Sequence, residues 1–271
     1  MKLQKIMAMT LAFGMLAACG KQGKEQTEES TTAEAEAMTA TTTEENKDNT
    51  LSPEETQNGW ELLFDGQSTD KWRGAHSETF PERGWYVEDG VLVVEAAEGE
   101  ESGNGGDIVT KEEYTDFELS LDFKITEGAN SGIKYYVTEQ YNSGKSAIGL
   151  EYQVLDDDKH PDAKKGNNGK GTRTVSSLYD LIAAEGKEVN PVGEWNHARI
   201  VSQGGKVQHF LNGKKVVEYD RFSEEFAQRI QNSKYKDWEG FGVWESGHIL
   251  LQDHGNQVFY KNIKVRELPA S

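Results

Sequence analysis

Cysteine occurs once in the 271 residues, at Cys19. The chain can therefore close no internal disulfide and offers no thiol cluster for a metal or for redox chemistry. Stability in an oxidising compartment must come from the core, which a domain of this length supplies without covalent staples. Positive charge is also scarce: 29 Lys and Arg stand against 47 Asp and Glu, a net charge of −18. That balance argues against nucleic acid as a partner and against docking of the folded part on anionic lipid. No apolar run is long enough to span a bilayer; Ile6 to Ala18 is too short. Also missing are a nucleotide-binding fingerprint, a serine nucleophile elbow and a His-Glu-x-x-His motif.

What is there begins with a basic start, Met1-Lys2-Leu3-Gln4-Lys5, and the short apolar run, which ends in Leu16-Ala17-Ala18-Cys19-Gly20. This reads as a lipoprotein signal peptide over residues 1–19, with the Cys19 thiol taking the lipid. Gly20 is not the aspartate associated with inner-membrane retention, so the expected address is the outer membrane. Residues 20–58 hold ten acids, three bases and almost no large apolar side chains. They are expected to form a disordered, self-repelling acidic tether.

From Gly59 the composition turns to aromatic and β-branched residues punctuated by glycine, and residues 59–268 read as one domain. Period-two runs predict strands at Tyr86 to Val94, Phe117 to Ile125, Ser131 to Val137, Leu150 to Leu155, Ala198 to Val201, Val207 to Tyr219, Phe241 to Trp244, Ile249 to Gln252 and Val258 to Val265. Asp89-Gly90 and Asn212-Gly213 are hairpin turns. The one convincing helix covers Phe222 to Ser233, so sheets must cover each other: an all-β jelly-roll β-sandwich of two antiparallel sheets.

Alternation then sorts the strands into two faces. Leu150, Tyr152, Val154, Ile133, Tyr135, Val137, Phe241, Val243, Ile249 and Leu251 fall on the core side. Glu151, Gln153, Lys134, Tyr136, Trp244, Gln252 and His254 fall on the other. That second set mixes aromatic rings, which stack on sugar C–H surfaces, with groups that exchange hydrogen bonds with hydroxyls. Asp156-Asp157-Asp158-Lys159-His160-Pro161-Asp162 follows one of these strands; it offers a general base in His160 and a candidate divalent-cation ligand in Asp156, though without EF-hand or zinc spacing. On the residues alone, a sugar-binding sandwich is as far as the reading goes.

Several ordered motifs carry a resemblance: Gly59-Trp60-Glu61-Leu62-Leu63-Phe64-Asp65-Gly66, Asn130-Ser131-Gly132-Ile133, Glu151-Tyr152-Gln153-Val154-Leu155-Asp156, His160-Pro161-Asp162, Ser177-Leu178-Tyr179-Asp180, Gly193-Glu194-Trp195-Asn196 and Leu251-Gln252-Asp253-His254-Gly255. In this order they resemble the 3-keto-disaccharide hydrolase family over about residues 59 to 268. His209-Phe210-Leu211-Asn212-Gly213 stands where members often carry Trp in the second place. The resemblance implies a concanavalin-like fold in an exported protein acting on oxidised (3-keto) saccharides. A ketone at C3 acidifies the C2 hydrogen and lies β to the C1 leaving group, so a base at C2 permits elimination, and water then adds. It implies Glu151 or His160 as base, Lys134 or a cation near Asp156 as enolate stabiliser and His254 as proton donor, with Asp180 in the catalytic set. Asn130, Tyr179 and Trp195 join the substrate-binding residues. The rival readings are a non-catalytic carbohydrate-binding lipoprotein and an ordinary two-carboxylate glycosidase acting on unoxidised sugars.

Overall fold

The computed structural model describes residues 47–98, 100, 103–141, 147–166 and 171–270. Residues 1–19, read as a signal peptide with a lipobox, and residues 20–46 of the expected tether lie outside them. In chain order the strands are β1 (Glu61–Leu62), β2 (Trp72–Gly74), β3 (Trp85–Glu88), β4 (Val91–Val94), β5 (Ile108–Thr110), β6 (Phe117–Ile125), β7 (Asn130–Thr138), β8 (Ile148–Leu155), β9 (Asn196–Gln203), β10 (Lys206–Leu211), β11 (Lys214–Asp220), β12 (His248–Leu251) and β13 (Val258–Glu267). They build two antiparallel sheets, a jelly-roll sandwich. The larger runs β11-β10-β9-β6-β13-β4-β3 with β1 on β13, and the smaller runs β2-β5-β12-β7-β8.

The two Asx-Gly pairs make two-residue hairpin turns. Asp89 and Gly90 have φ of 49° and 78°, and Asn212 and Gly213 have 49° and 81°. Both central residues thus take the left-handed conformation that matches strand twist in a two-residue hairpin. Between the sheets, Leu119, Leu121, Phe123, Tyr135, Leu150, Tyr152, Ile249 and Leu251 are buried in one core. Burial of this kind supplies most of the folding free energy, at roughly 25 cal/mol per Å² of apolar surface. His209 sits wholly inside it, its Nε2 2.8 Å from the Tyr135 hydroxyl and its Nδ1 3.0 Å from the Ser176 carbonyl. Burial holds this imidazole down to about 4.

Three expectations change. Residues 47–58 do not behave as tether: the backbone N–H of Asn49 donates to Asn262 Oδ1 and that of Asn262 to Asn49 Oδ1, while Asn49 Nδ2 donates to the Gly90 carbonyl. Ser52 then caps a five-residue helix, α1 (Pro53–Gln57), with Glu55 completing the capping box. This segment is held by polar side chains meeting backbone groups, an attachment that composition does not register. Second, Phe241 to Trp244 is a turn, and although Phe241 is buried, Val243 is exposed. Third, the alternation in β7 breaks at Tyr136, whose φ of 51° marks a bulge where the register with β8 shifts between Tyr135 and Thr138. Tyr135 and Tyr136 therefore both enter the core, and Val137 turns to the opposite face with Val109 and Leu250.

Candidate active site

A cavity of about 530 Å³ opens on the outer face of the smaller sheet. Its floor is alternation made visible: Gly149, Glu151 and Gln153 from β8, Asn130 and Lys134 from β7, and Gln252 and His254 just past β12. Lys134 lies directly across the ladder from Glu151, and Gly132 across from Gln153. A Cβ on Gly132 would come within 2.3 Å of Glu151 Oε1. The missing side chain is what lets the carboxylate lie down over the sheet. Asp253 fixes the loop carrying His254: its Oδ1 accepts the Gly255 N–H and its Oδ2 that of Gly106.

Two segments wall the cavity. Ser223 caps helix α2 (Glu224–Gln231), which buries Phe226 and Ile230 one turn apart. The chain beyond it presents Lys234, Tyr235 and Trp238 to the cavity. Tyr235 stacks on Phe241 with ring centroids 4.0 Å apart, and Trp238 stacks on Tyr141 at 5.1 Å. On the same side stands Tyr179, whose N–H donates to the Glu151 carbonyl and whose hydroxyl donates to Asp162 Oδ2 at 2.8 Å. Arg173 holds that arm in place by donating to both Asp162 and Asp180, at 2.9 and 2.8 Å.

The electrostatics single out Glu151, which is 9% exposed. Burial raises its pKa above the ordinary glutamate value and Asp107 adds to this, while Lys134, Lys234 and His254 oppose it. A carboxyl raised in this way is a stronger base once ionised, and it keeps its proton to higher pH, so that both forms are present closer to neutrality. Lys234 is an exposed residue, yet its ammonium stands 4.4 Å from the Tyr179 ring centroid and 5.0 Å from that of Tyr235. Loss of water around it draws its pKa down against the pull of Glu151. Asp162 goes the other way: burial would raise it, but Tyr179 and Arg173 hold it below the usual carboxylate range.

Of the residues picked from the sequence, Glu151, Lys134, Gln153, Gln252, His254, Asn130 and Tyr179 line this one cavity. Six others do not. Tyr136 is buried by the bulge, its hydroxyl 2.6 Å from Ser202 Oγ. Trp244 packs edge-on against Phe241 from its turn. Trp195 belongs to the larger sheet, where Lys124 and Lys261 stand over its ring at 5.0 and 4.6 Å. Asp180 is spent on Arg173. His160 caps the 3₁₀ turn Pro161–Lys164, its Nδ1 accepting the Asp162 N–H, and stands behind His254 with ring centroids 6.0 Å apart. Burial and then His254 keep its pKa below the ordinary histidine value. Asp156 serves its own loop: Oδ2 accepts the Gly128 N–H and Oδ1 those of Asp158 and Lys159. Among the described residues no three His, Cys, Asp or Glu side chains converge as a metal site.

Sequence reading missed Asp107, Lys234, Tyr235 and Trp238. Asp107 sits just ahead of a three-residue strand too short to show a period. The other three lie between α2 and a run misread as a strand, though Tyr235, Trp238 and Phe241 at spacing three were there to be seen as an aromatic cluster.

Comparison with known proteins bears on the whole domain. Residues 59–266 match the family described as the 3-keto-alpha-glucoside-1,2-lyase-like domain. A 3-keto-disaccharide hydrolase of Bacteroides thetaiotaomicron is 33% identical, with 97% of each chain covered. A candidate glycosyl hydrolase from Parabacteroides distasonis, known from its crystal structure, is 34% identical with a TM-score of 0.73, covering 82% of this chain and all of its own. A second from the same organism is 30% identical with a TM-score of 0.55, covering 77% of this chain and 99% of its own. With the family's domain matched from the first strand to the last, the chain belongs to the 3-keto-alpha-glucoside-1,2-lyase-like family.

Proposed function

We propose that the protein cleaves 3-keto-glycosides, 3-keto-disaccharides among them, by elimination across C1 and C2 followed by hydration. The observation that carries this reading is the buried carboxyl of Glu151, set directly across the ladder from Lys134 on the floor of a cavity large enough for a disaccharide. Glu151 takes the C2 proton. The electron pair released passes through an enolate whose C3 oxygen is stabilised by the Lys134 ammonium, which Asp107 Oδ2 positions at 3.5 Å. As the C3 ketone reforms, the pair makes the C1–C2 double bond, and the C1–O bond breaks with the leaving oxygen taking a proton from His254. Water then adds at C1, giving one proton back to His254, and Glu151, its proton exchanged with solvent, delivers a proton to C2, so that the sum is hydrolysis and both groups end as they began. A base with a raised pKa suits this sequence, because the same group must accept a proton in one half and deliver it in the other.

The family match and the name of the Bacteroides thetaiotaomicron relative support the substrate class. The same proposal has the protein exported and lipid-anchored through Cys19 at the outer membrane. Labelled palmitate entering the wild-type chain but not a Cys19→Ser variant is the expected sign of that anchor, and equal labelling would refute it.

The decisive experiment for the chemistry incubates the purified mature protein with a 3-keto-disaccharide and with its unoxidised parent, with and without chelator, in D₂O. Release of a 3-keto-sugar from the oxidised substrate alone, with deuterium at C2, is the expected result. Cleavage of the parent would point instead to Glu151 and Asp107 acting as a glycosidase pair. Binding without cleavage would point to a lectin-like module, and loss of activity with chelator would bring a divalent cation into the chemistry.

A further inference from the structure

The cavity is not uniform along its length. The ladder from Gly149 to Gln153 spans roughly 13 Å at a rise of about 3.3 Å per residue, with Glu151 and Lys134 at its middle. Towards Gln153 the floor is polar, with Asn130, Gln252 and His254. Asn130 is buried there, and its Oδ1 has no hydrogen-bond partner. Such an atom costs free energy unless something donates to it, and a sugar hydroxyl in the cavity would do so.

Towards Gly149 the character reverses. The bulge at Tyr136 turns Val137 to this face, where it joins Val109 and Leu250 under Ala75 and Ala147. Ala75, Ala147, Ile148 and Gly149 line the cavity at this end, and His76, next in the chain to Ala75, is the polar residue that accompanies them. A Cβ on Gly149 would meet Val137 Cγ2 at 2.8 Å, so the floor here has no room for a side chain. Trp238, which also lines the cavity, is stacked on Tyr141, three residues beyond the end of β7, and so belongs to this same end.

We propose that this apolar end is the leaving-group subsite and that it is built for an aglycone presenting a flat apolar face, an aromatic ring above all, rather than for a small alkyl group. This deepens the elimination reading above and rests on it. A keto-sugar keeps several hydroxyls and needs the polar end, with the vacant Asn130 acceptor. Cleavage at C1 next to a central Glu151 then directs the departing group towards Gly149 and Trp238. An aromatic ring there gains stacking and area burial while leaving no polar group of its own unpaired.

The test uses 3-keto-glucosides with benzyl and methyl aglycones, whose alcohols are of similar acidity, so that ring contact and not leaving-group ability is read. Wild type is expected to favour benzyl by about tenfold in kcat/KM, mostly through KM. Trp238→Ala should bring the ratio to within about twofold of unity, chiefly through a rise in the benzyl KM, and Trp238→Phe should restore most of the preference. Equal wild-type values, or a preference untouched in Trp238→Ala, would overturn the subsite while leaving the elimination reading standing. Cleavage of neither compound, in a preparation that also fails on the 3-keto-disaccharide, would instead overturn the elimination reading and the subsite with it. The Trp238→Phe variant, together with wild-type circular dichroism and an unchanged thermal midpoint in Trp238→Ala, guards against a loss caused by misfolding.

Discussion

The outer faces of the two sheets carry similar residues and differ in what surrounds them. On the larger sheet, Asp122 and His197 are direct cross-strand partners, with Asp122 Oδ1 2.7 Å from His197 Nδ1 and Ser120 Oγ 3.4 Å from Nε2. Asn262 Nδ2 steadies the other oxygen of Asp122 at 2.7 Å. In outline this is an acid-base-nucleophile relay. It sits in a cavity of only about 150 Å³, and the His197 side chain is 42% exposed. On the smaller sheet the order of residues resembles no such relay, yet the loops after β8 and α2 rise around Glu151 and remove its water. Charges interact several times more strongly there than at a solvated surface. What distinguishes the two faces is the burial of the titratable group at the centre of each, Glu151 being 9% exposed against 42% for the His197 side chain, and the residue types alone do not report it.

The sharpest way to break the comparison is to disarm the enclosed face. Glu151→Gln keeps shape and removes the base, and is expected to lower kcat on a 3-keto-disaccharide by about a thousandfold or more and to abolish deuterium entry at C2. Retained C2 exchange would move the base elsewhere. Because burial raises the Glu151 pKa, the wild-type acid limb of kcat/KM should fall as pH drops through a value above the 4.5 of an ordinary glutamate; a limb at or below 4.5 contradicts the assignment. Next in size comes Gly132→Ala. The added Cβ must displace the Glu151 carboxylate, and a shift of about 1 Å is enough for roughly a hundredfold loss in kcat. An unaltered rate would mean that the carboxylate position is not critical.

These two residues also show how far the sequence could be read. Glu151, Gln153, Lys134, Gln252 and His254 were found by alternation alone, because a strand with one buried face assigns every side chain. The same rule misplaced Tyr136 and Val137, since one residue in the left-handed conformation reverses every assignment after it, and nothing in Lys134-Tyr135-Tyr136-Val137 marks the bulge. Motif membership added Asn130 and Tyr179, which alternation did not single out and which line the cavity, but it also brought in Asp180, His160, Asp156 and Trp195, which the structure uses to hold loops or to pack beneath lysines. Trp238 and Lys234 reach the cavity from an irregular segment, where no period exists to reveal which way a side chain points.

A histidine on each side of the larger sheet extends the comparison to stability. His209, on the inner face, is held neutral with a pKa of about 4, whereas the unfolded chain binds its proton near 6.5. The unfolded state therefore takes up more protons between these values. The His209 contribution is complete above about pH 6.5 and is lost as pH falls towards 4, by about 3 kcal/mol at 1.36 kcal/mol per pH unit. Urea titrations of wild type and His209→Gln at pH 7.5, 5.5 and 4.5 should show a gap that narrows as the pH falls. A gap that does not change with pH would mean that His209 is not held neutral.

The smallest effect is expected where the geometry looks most catalytic. Ser120→Ala and His197→Ala should each leave 3-keto-disaccharide cleavage within about twofold of wild type, and His197→Ala, which breaks a half-exposed pair, should cost less than about 1 kcal/mol of stability. Treatment with a fluorophosphonate should leave Ser120 unmodified by mass spectrometry. The reason is that a serine hydroxyl becomes a nucleophile only when its base is aimed and the developing oxyanion is met by preorganised donors away from water. On this face the strand N–H groups are committed to the sheet ladder or, at His197 and Asn262, to the side-chain oxygens of Asn212 and Asn49, and Lys264 and Lys261 are paired with Glu55 and Asp48. A Ser120 adduct that disappears in His197→Ala would show that the outer face works without an enclosing wall, and the contrast between the two sheets would then have to rest on something other than burial.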